Sequence, residues 1–313
     1  MSKKKLFTIK ELNALSAAEI IEKIKHENYS LLASLGAEKL RKEMVPVGKA
    51  CHAAINYFLT AKTPEQIRAK IVKTFKKLAP ATYDKTKIPH DTPDGLVIGF
   101  NHPSLGEILR IVLMKVDLMG NKPMLFPVNL PWYEAIAPDF DKLMQLGIII
   151  TPTITPSTWK KLGLAEENPF FDPANRLKRD FRNIYTDASI KTVKDGGIIF
   201  VAPSATRQAT VFKSKAVYDK AEDIIPTMSV LALKLYADPK MNCGFLPIAV
   251  LPPQDYKRGL NIGKPYQLLP AKLMTAADIR AKYFTEPKPK RLDGFDYDFH
   301  LQIAQQLPKN FWY

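Results

Sequence analysis

The chain is short of cysteine and histidine and has no long apolar run, and each shortage closes off a class of protein. Its two cysteines, Cys51 and Cys243, stand far apart in 313 residues, so neither a disulfide framework nor a zinc-ligand spacing is on offer. Both read as small core residues in a reducing compartment. Of the five histidines, His26, His52, His90 and His300 are scattered without metal-ligand spacing and read as surface or internally satisfied side chains; no metal is expected. No stretch reaches the roughly 18 consecutive apolar residues of a membrane span. The opening Met1-Ser2-Lys3-Lys4-Lys5 has the charge of a signal-peptide start, but no continuous apolar run comes after it, because Lys10, Glu11, Glu19 and Glu22 interrupt. The expectation is a cytoplasmic protein without a transmembrane anchor. Also missing are a Gly-x-Ser-x-Gly elbow, a Walker-type phosphate loop and a G-x-G-x-x-G fingerprint, which removes the usual sequence support for a serine hydrolase or a nucleotide-binding fold.

Negative charge is scarce as well. Asp and Glu number 31 against 46 Lys and Arg, and of the resulting +15 a net +10 lies in residues 1–90. Such a field attracts polyanions: an acidic carrier protein, an anionic membrane surface or nucleic acid. It serves equally as a solvated surface. No nucleic-acid motif accompanies it, so no nucleic-acid partner is expected.

What is present organises into two parts. Residues 1–80 read as a small helical domain. Thr8-x-x-Glu11 and Ser16-x-x-Glu19 fit the capping box, in which hydroxyl and carboxylate each satisfy an orphan backbone group. Ile20, Ile21, Ile24, Leu31, Leu32 and Leu35 follow helical spacing, with a break near Asn28. Thr63-Pro64 starts another helix, whose Ile67, Ile71, Phe75 and Leu78 line one face among lysines and arginines. Such a basic amphipathic helix either packs on the main domain or lies on a membrane. Residues 81–313 alternate short apolar runs (96–100, 146–150, 197–201, 245–251) with helical candidates (104–117, 139–146, 174–194, 226–237). This predicts an α/β domain. A Pro/Lys-rich linker, Glu286–Arg291, leads to a last amphipathic helix near 296–307.

Chemistry concentrates at Gly99-Phe100-Asn101-His102-Pro103-Ser104-Leu105-Gly106-Glu107. An apolar strand runs out into a histidine, and a helix begins with a carboxylate five positions on. An alcohol is protonated and weakly nucleophilic at neutral pH, and imidazole, with an ordinary pKa of about 6.5, suits the removal of its proton. A carboxylate on the other ring nitrogen fixes the tautomer and stabilises the imidazolium. Ser104-Leu105-Gly106-Glu107 is also a capping-box pattern, so Glu107 has a purely structural alternative. A second segment, Ala202-Pro203-Ser204-Ala205-Thr206-Arg207, ends a strand in a small-residue turn presenting an arginine. That side chain either sits on the surface or pairs with a phosphate, aided by Ser204 and Thr206.

In order and spacing, these segments resemble motifs I and III of the glycerol-phosphate/lysophosphatidate acyltransferase superfamily. Ala202–Arg207 is nearest to the variant in soluble plastid-type glycerol-3-phosphate acyltransferases. Phe245-Leu246-Pro247-Ile248-Ala249-Val250 resembles motif IV, Ile262-Gly263-Lys264-Pro265-Tyr266 the turn after it, and Lys142–Ile148 the segment leading into motif II. The resemblance covers roughly residues 95–270. It implies a mixed sheet flanked by helices, preceded by a helical domain. His102 would be the catalytic base and Glu107 its orienting partner, with Ser204, Thr206 and Arg207 on the acceptor's phosphate. An acyl-CoA or acyl carrier protein thioester would serve as co-substrate, a phosphorylated glycerol as acceptor and a bilayer as a further partner; no permanently bound cofactor is implied, and no cofactor-binding residue is assigned. The chain departs from the family pattern in having Glu107 for the commoner Asp, Ser204 where many members have Glu, no arginine in 148–155, and Ala209 at a second arginine position. Lys122, Arg176 and Lys178 are candidate substitutes in the phosphate site. The alternative expectation is a lipid-binding protein that keeps the fold without turnover.

Overall fold

A computed structural model describes residues 4–89, 94–204, 210–220, 224–257, 259–286 and 289–313. Among them the strands are, in chain order, β1 (Lys5–Leu6), β2 (Tyr29–Ser30), β3 (Ala81–Tyr83), β4 (Leu96–Phe100), β5 (Met124–Asn129), β6 (Ile148–Thr153), β7 (Ile198–Val201), β8 (Gly244–Leu251) and β9 (Tyr266–Pro270). The chain is α/β, with a mixed sheet flanked by helices. It divides into two compact units, 1–60 with 125–188, and 61–124 with 189–313. The first sixty residues thus share a unit with 125–188, whereas the Pro64–Leu78 helix belongs to the other.

The first unit begins with helices whose starts are written in the sequence. Thr8 and Ser16 cap Ile9–Ala14 and Ala17–His26 in full capping boxes with Glu11 and Glu19. The break near Asn28 is a left-handed residue at φ 62°, a conformation that asparagine tolerates better than most. It lets β2 return beside β1 in parallel. Leu12, Ile20, Ile24, Leu31 and Leu32 then bury against Tyr133, Leu177 and Phe181. Buried in this unit is the carboxylate of Glu134. It accepts from the Ser30 hydroxyl at 2.7 Å and from the Leu32 amide at 2.8 Å, and burial nonetheless pushes its pKa up to about 7.

The second unit holds the strands β3, β9, β8, β4 and β7 in that spatial order. All neighbours are parallel except β8 and β9. β4 is buried along its whole length, as its unbroken apolar run Leu96–Phe100 requires of a central strand. Gly99 is needed there, because a Cβ would lie 2.4 Å from the Phe299 ring of the Phe295–Gln305 helix. The Pro64–Leu78 helix, capped by Thr63 and Gln66, packs on the Gly106–Met119 helix. Its Arg68 donates to the carbonyls of Val116 and Asp117 at 2.8 and 2.7 Å.

Among the described residues no helix is long and apolar enough to cross a membrane. Cys243 is buried and Cys51 half-buried, and both are free thiols. Burial pushes the Cys243 thiol up to about 12.

Candidate active site

The site is built where the parallel strands β4 and β7 end together beside β8, which runs on to Leu251. Gly99 of β4 pairs with Val201 of β7 and Pro247 of β8, so the turns after β4 and β7 leave the sheet at the same edge. Ligands of open α/β sheets bind at that carboxyl edge. Asn101 extends the pairing by one residue beyond β4: its side-chain amide donates to the Val250 carbonyl at 3.0 Å and accepts from the Val250 amide at 2.6 Å. The side chain thereby takes over the work of a backbone ladder, and it delivers His102 just past the strand end.

His102 and Glu107 meet. His102 Nδ1 is hydrogen-bonded to Glu107 Oε1; Glu107 is fully buried and the histidine side chain retains 16% exposure. The alternative capping box does not form. The helix starts at Gly106, with Leu105 as a cap that offers no side-chain bond. Instead the Ser104 hydroxyl donates to Glu107 Oε2 at 2.8 Å and accepts from the Gly106 amide at 2.9 Å. It also stands 2.9 Å from the Tyr266 hydroxyl, which in turn receives the Asn261 amide at 2.9 Å.

Donor and acceptor capacity orders this chain in one direction. A carboxylate only accepts, so Ser104 spends its proton on Glu107 and must accept from Tyr266. Tyr266 then accepts from Asn261. At the other end the same rule makes His102 Nδ1 a donor to Glu107, which leaves Nε2 with the lone pair of a base. Hydrogen bonds aligned this way polarise one another in a dry interior. Burial pushes the Tyr266 phenol above its ordinary pKa, so it stays a proton donor.

Arg110 supports the arrangement from below. It is fully buried on the helix that carries Glu107. One guanidinium nitrogen donates to the carbonyls of Gly106 at 2.6 Å and Leu260 at 3.0 Å. Another donates to Asn261 and Lys264, each at 2.7 Å. Burial lowers the Arg110 pKa from its ordinary value, and among the described residues no carboxylate forms an ion pair with it. Gly106 leaves room for this contact, since a Cβ there would sit 2.5 Å from the Leu260 carbonyl. Asn261 adopts a left-handed φ of 49° and ties the loop with its own amide to the Lys257 and Gly259 carbonyls at 2.6 and 3.0 Å.

Of the expected acceptor-binding residues, Ser204 is half-buried just after β7. Its turn is anchored by the Thr227 hydroxyl, which donates to the Pro203 carbonyl at 3.0 Å. Thr206 and Arg207 lie outside the described residues. Arg176, a candidate substitute, is committed elsewhere: its guanidinium donates to the carbonyls of Leu12, Asn13 and Leu15 within the first unit. A cleft of about 650 Å³ in that unit, lined by Arg176, Lys178, Arg179 and Arg182, shares no residue with the His102 network.

Sequence reasoning singled out His102 and Glu107 but missed the roles of Ser104, Arg110, Tyr266 and Asn261. One signal was available for Arg110. It sits three and four residues from Glu107 and Gly106 and four before Met114, within an apolar helical stretch where a cation has to find buried partners.

Of the remaining histidines, three lie among the described residues. His26 lies beside Glu22 on the surface, His52 bonds Asp139 and Asn56, and His300 is buried on the Asp296 carbonyl; His90 lies outside the described residues. Compared with protein-family models and with curated proteins, the chain finds no match.

Proposed function

We propose that the protein is an O-acyltransferase that moves a fatty acyl group from an acyl-CoA or acyl carrier protein thioester to a hydroxyl of glycerol-3-phosphate or a related phosphorylated acceptor. The observation that carries the reading is the His102–Glu107 pair at the end of β4, with Glu107 itself held by the Ser104–Tyr266–Asn261 chain. Such a relay suits a general base, whose free nitrogen has to hold a lone pair and whose cationic form has to be stabilised.

In this mechanism the acceptor hydroxyl attacks the thioester carbonyl while His102 Nε2 takes its proton. Glu107 stabilises the imidazolium. The tetrahedral intermediate collapses, the carbon–sulfur bond breaks, and the leaving thiolate takes the proton back from the imidazolium. Ester and thiol leave, and the enzyme returns to its starting state without a covalent acyl-enzyme. By the motif resemblance, Ser204, Thr206 and Arg207 hold the acceptor's phosphate. A lipid product suits a cytoplasmic protein that works peripherally on a membrane.

The test is free-thiol release from acyl-CoA and from acyl carrier protein thioesters, with and without glycerol-3-phosphate. Release that requires the acceptor supports the transferase. Acceptor-independent release points to hydrolysis, and no release with any donor or acceptor favours the lipid-binding protein.

A further inference from the structure

The roof of the His102 network is a loop with apolar side chains aimed away from the core. Leu260 and Ile262 are 46% and 51% exposed, and Leu78, at the end of the Pro64–Leu78 helix, is 38% exposed. The two segments are neighbours, for the Gly263 amide donates to the Leu78 carbonyl at 2.8 Å. The loop is held. Arg110 grips the carbonyls of Leu260, Asn261 and Lys264 from inside, and Asn261 closes it on Lys257 and Gly259. A loose loop would fold its leucine and isoleucine back onto the protein, whereas this one keeps them in water.

Around these side chains the charge is cationic. Lys73, Lys76 and Lys77 on the last turns of the helix and Lys257 in the loop are exposed. Of the acids nearby, Asp255 is paired with Lys264 at 2.5 Å, and Asp117 is shared by Lys76 and Lys85 at 3.8 and 3.3 Å.

We propose that this edge, Leu78 with Leu260 and Ile262 and the exposed lysines of the two segments, docks the protein on an anionic phospholipid bilayer, with Leu260 and Ile262 entering the headgroup–acyl boundary. Aliphatic tips ringed by lysines are the chemistry of an interfacial membrane anchor: the tips leave water and the ammonium groups meet anionic headgroups. The docking stands on these observations alone. What it would accomplish, setting the mouth of the His102 site against the surface that receives a lipid product, rests on the acyltransferase reading.

The experiment is co-sedimentation of the full chain with vesicles of phosphatidylcholine alone and of phosphatidylcholine with phosphatidylglycerol, without substrate, at low and high salt. Binding is expected only with phosphatidylglycerol and is expected to weaken with salt. The double variant Leu260→Ser/Ile262→Ser should partition at least about tenfold less. Lys73→Gln/Lys77→Gln should lose roughly fivefold per charge. Neither should change the unfolding midpoint or thiol release from a water-soluble donor. The proposal fails if the protein ignores anionic vesicles, if the double variant binds them as well as the parent, or if these substitutions abolish binding to acyl carrier protein while no vesicle is bound. Vesicle binding with no thiol release under any condition would leave the docking standing and remove the acyltransferase reading.

Discussion

The guanidinium of Arg110 lies 4.1 Å from the centre of the Tyr266 ring, so one buried cation stacks on the phenol that completes the Glu107 hydrogen-bond chain and grips the loop above it. A planar fork suits this position, because it reaches several carbonyls at fixed angles and presents a flat face to the ring. Arg110→Met strands the carbonyls of Gly106, Leu260, Asn261 and Lys264 and removes the stacking. The expected loss is about 3 kcal/mol of stability, read by chemical denaturation, together with new protease cleavage in the 257–263 loop. Arg110→Lys should recover only part, since an ammonium cannot serve the four carbonyls and the ring together.

Glu107→Gln keeps the shape of the side chain and removes the obligate acceptor. His102 then loses the partner that fixes its tautomer, and the imidazolium loses its counter-charge. Under the proposed mechanism kcat falls by ~10²–10⁴-fold with KM nearly unchanged. If Glu107 only organised the helix start, the substitution would lower the unfolding midpoint and leave kcat in place. Steady-state kinetics beside thermal denaturation separate the two.

The relay makes a graded prediction. Ser104→Ala removes the donor to Glu107 together with the acceptor used by Gly106 and Tyr266. Tyr266→Phe removes only the more distant link. The rate loss should therefore be roughly 10–100-fold for the first and below about tenfold for the second, with KM held in both. A larger effect from Tyr266→Phe would mean that the phenol touches substrate and is no mere support.

Glu134 gives the first unit a pH dependence of stability. Its pKa is about 7 in the folded chain, above the ordinary carboxylate value, so the folded state holds this proton more tightly than the unfolded state. Stability from this group is complete below about pH 4.5, falls as pH rises, and levels off once pH passes about 7. The span amounts to about 3 kcal/mol. Glu134→Gln should flatten that part of the profile. Urea denaturation between pH 4.5 and 7.5 measures both curves, and parallel slopes for parent and variant would contradict the assignment.

What could be read from the sequence was mostly local. The helix starts at Thr8 and Ser16 depend on residues three apart and the one at Thr63 on the proline that follows it, and all three caps form. The buried strands β4, β7 and β8 were legible because a central strand covered on both faces needs an unbroken apolar run. His102 and Glu107 were legible for the same reason: five residues separate them, and a strand-to-helix turn brings them together. The capping-box alternative at Ser104 does not form, because its hydroxyl accepts from the Gly106 amide instead of the Glu107 amide and the helix starts one residue later than that pattern requires. Tyr266 and Asn261 were illegible as site residues, since their link to Ser104 spans 162 positions and exists only once β9 lies beside β8. The packing of residues 1–60 with 125–188 is likewise a long-range outcome, which no periodicity in either segment announces.

The most direct measurement is acceptor-dependent thiol release by the parent protein and by His102→Ala, with circular dichroism showing that both are folded. The account predicts release that requires glycerol-3-phosphate or a related acceptor in the parent, and a loss of ~10²–10⁴-fold or more in the variant. Equal rates in the two folded proteins would contradict it.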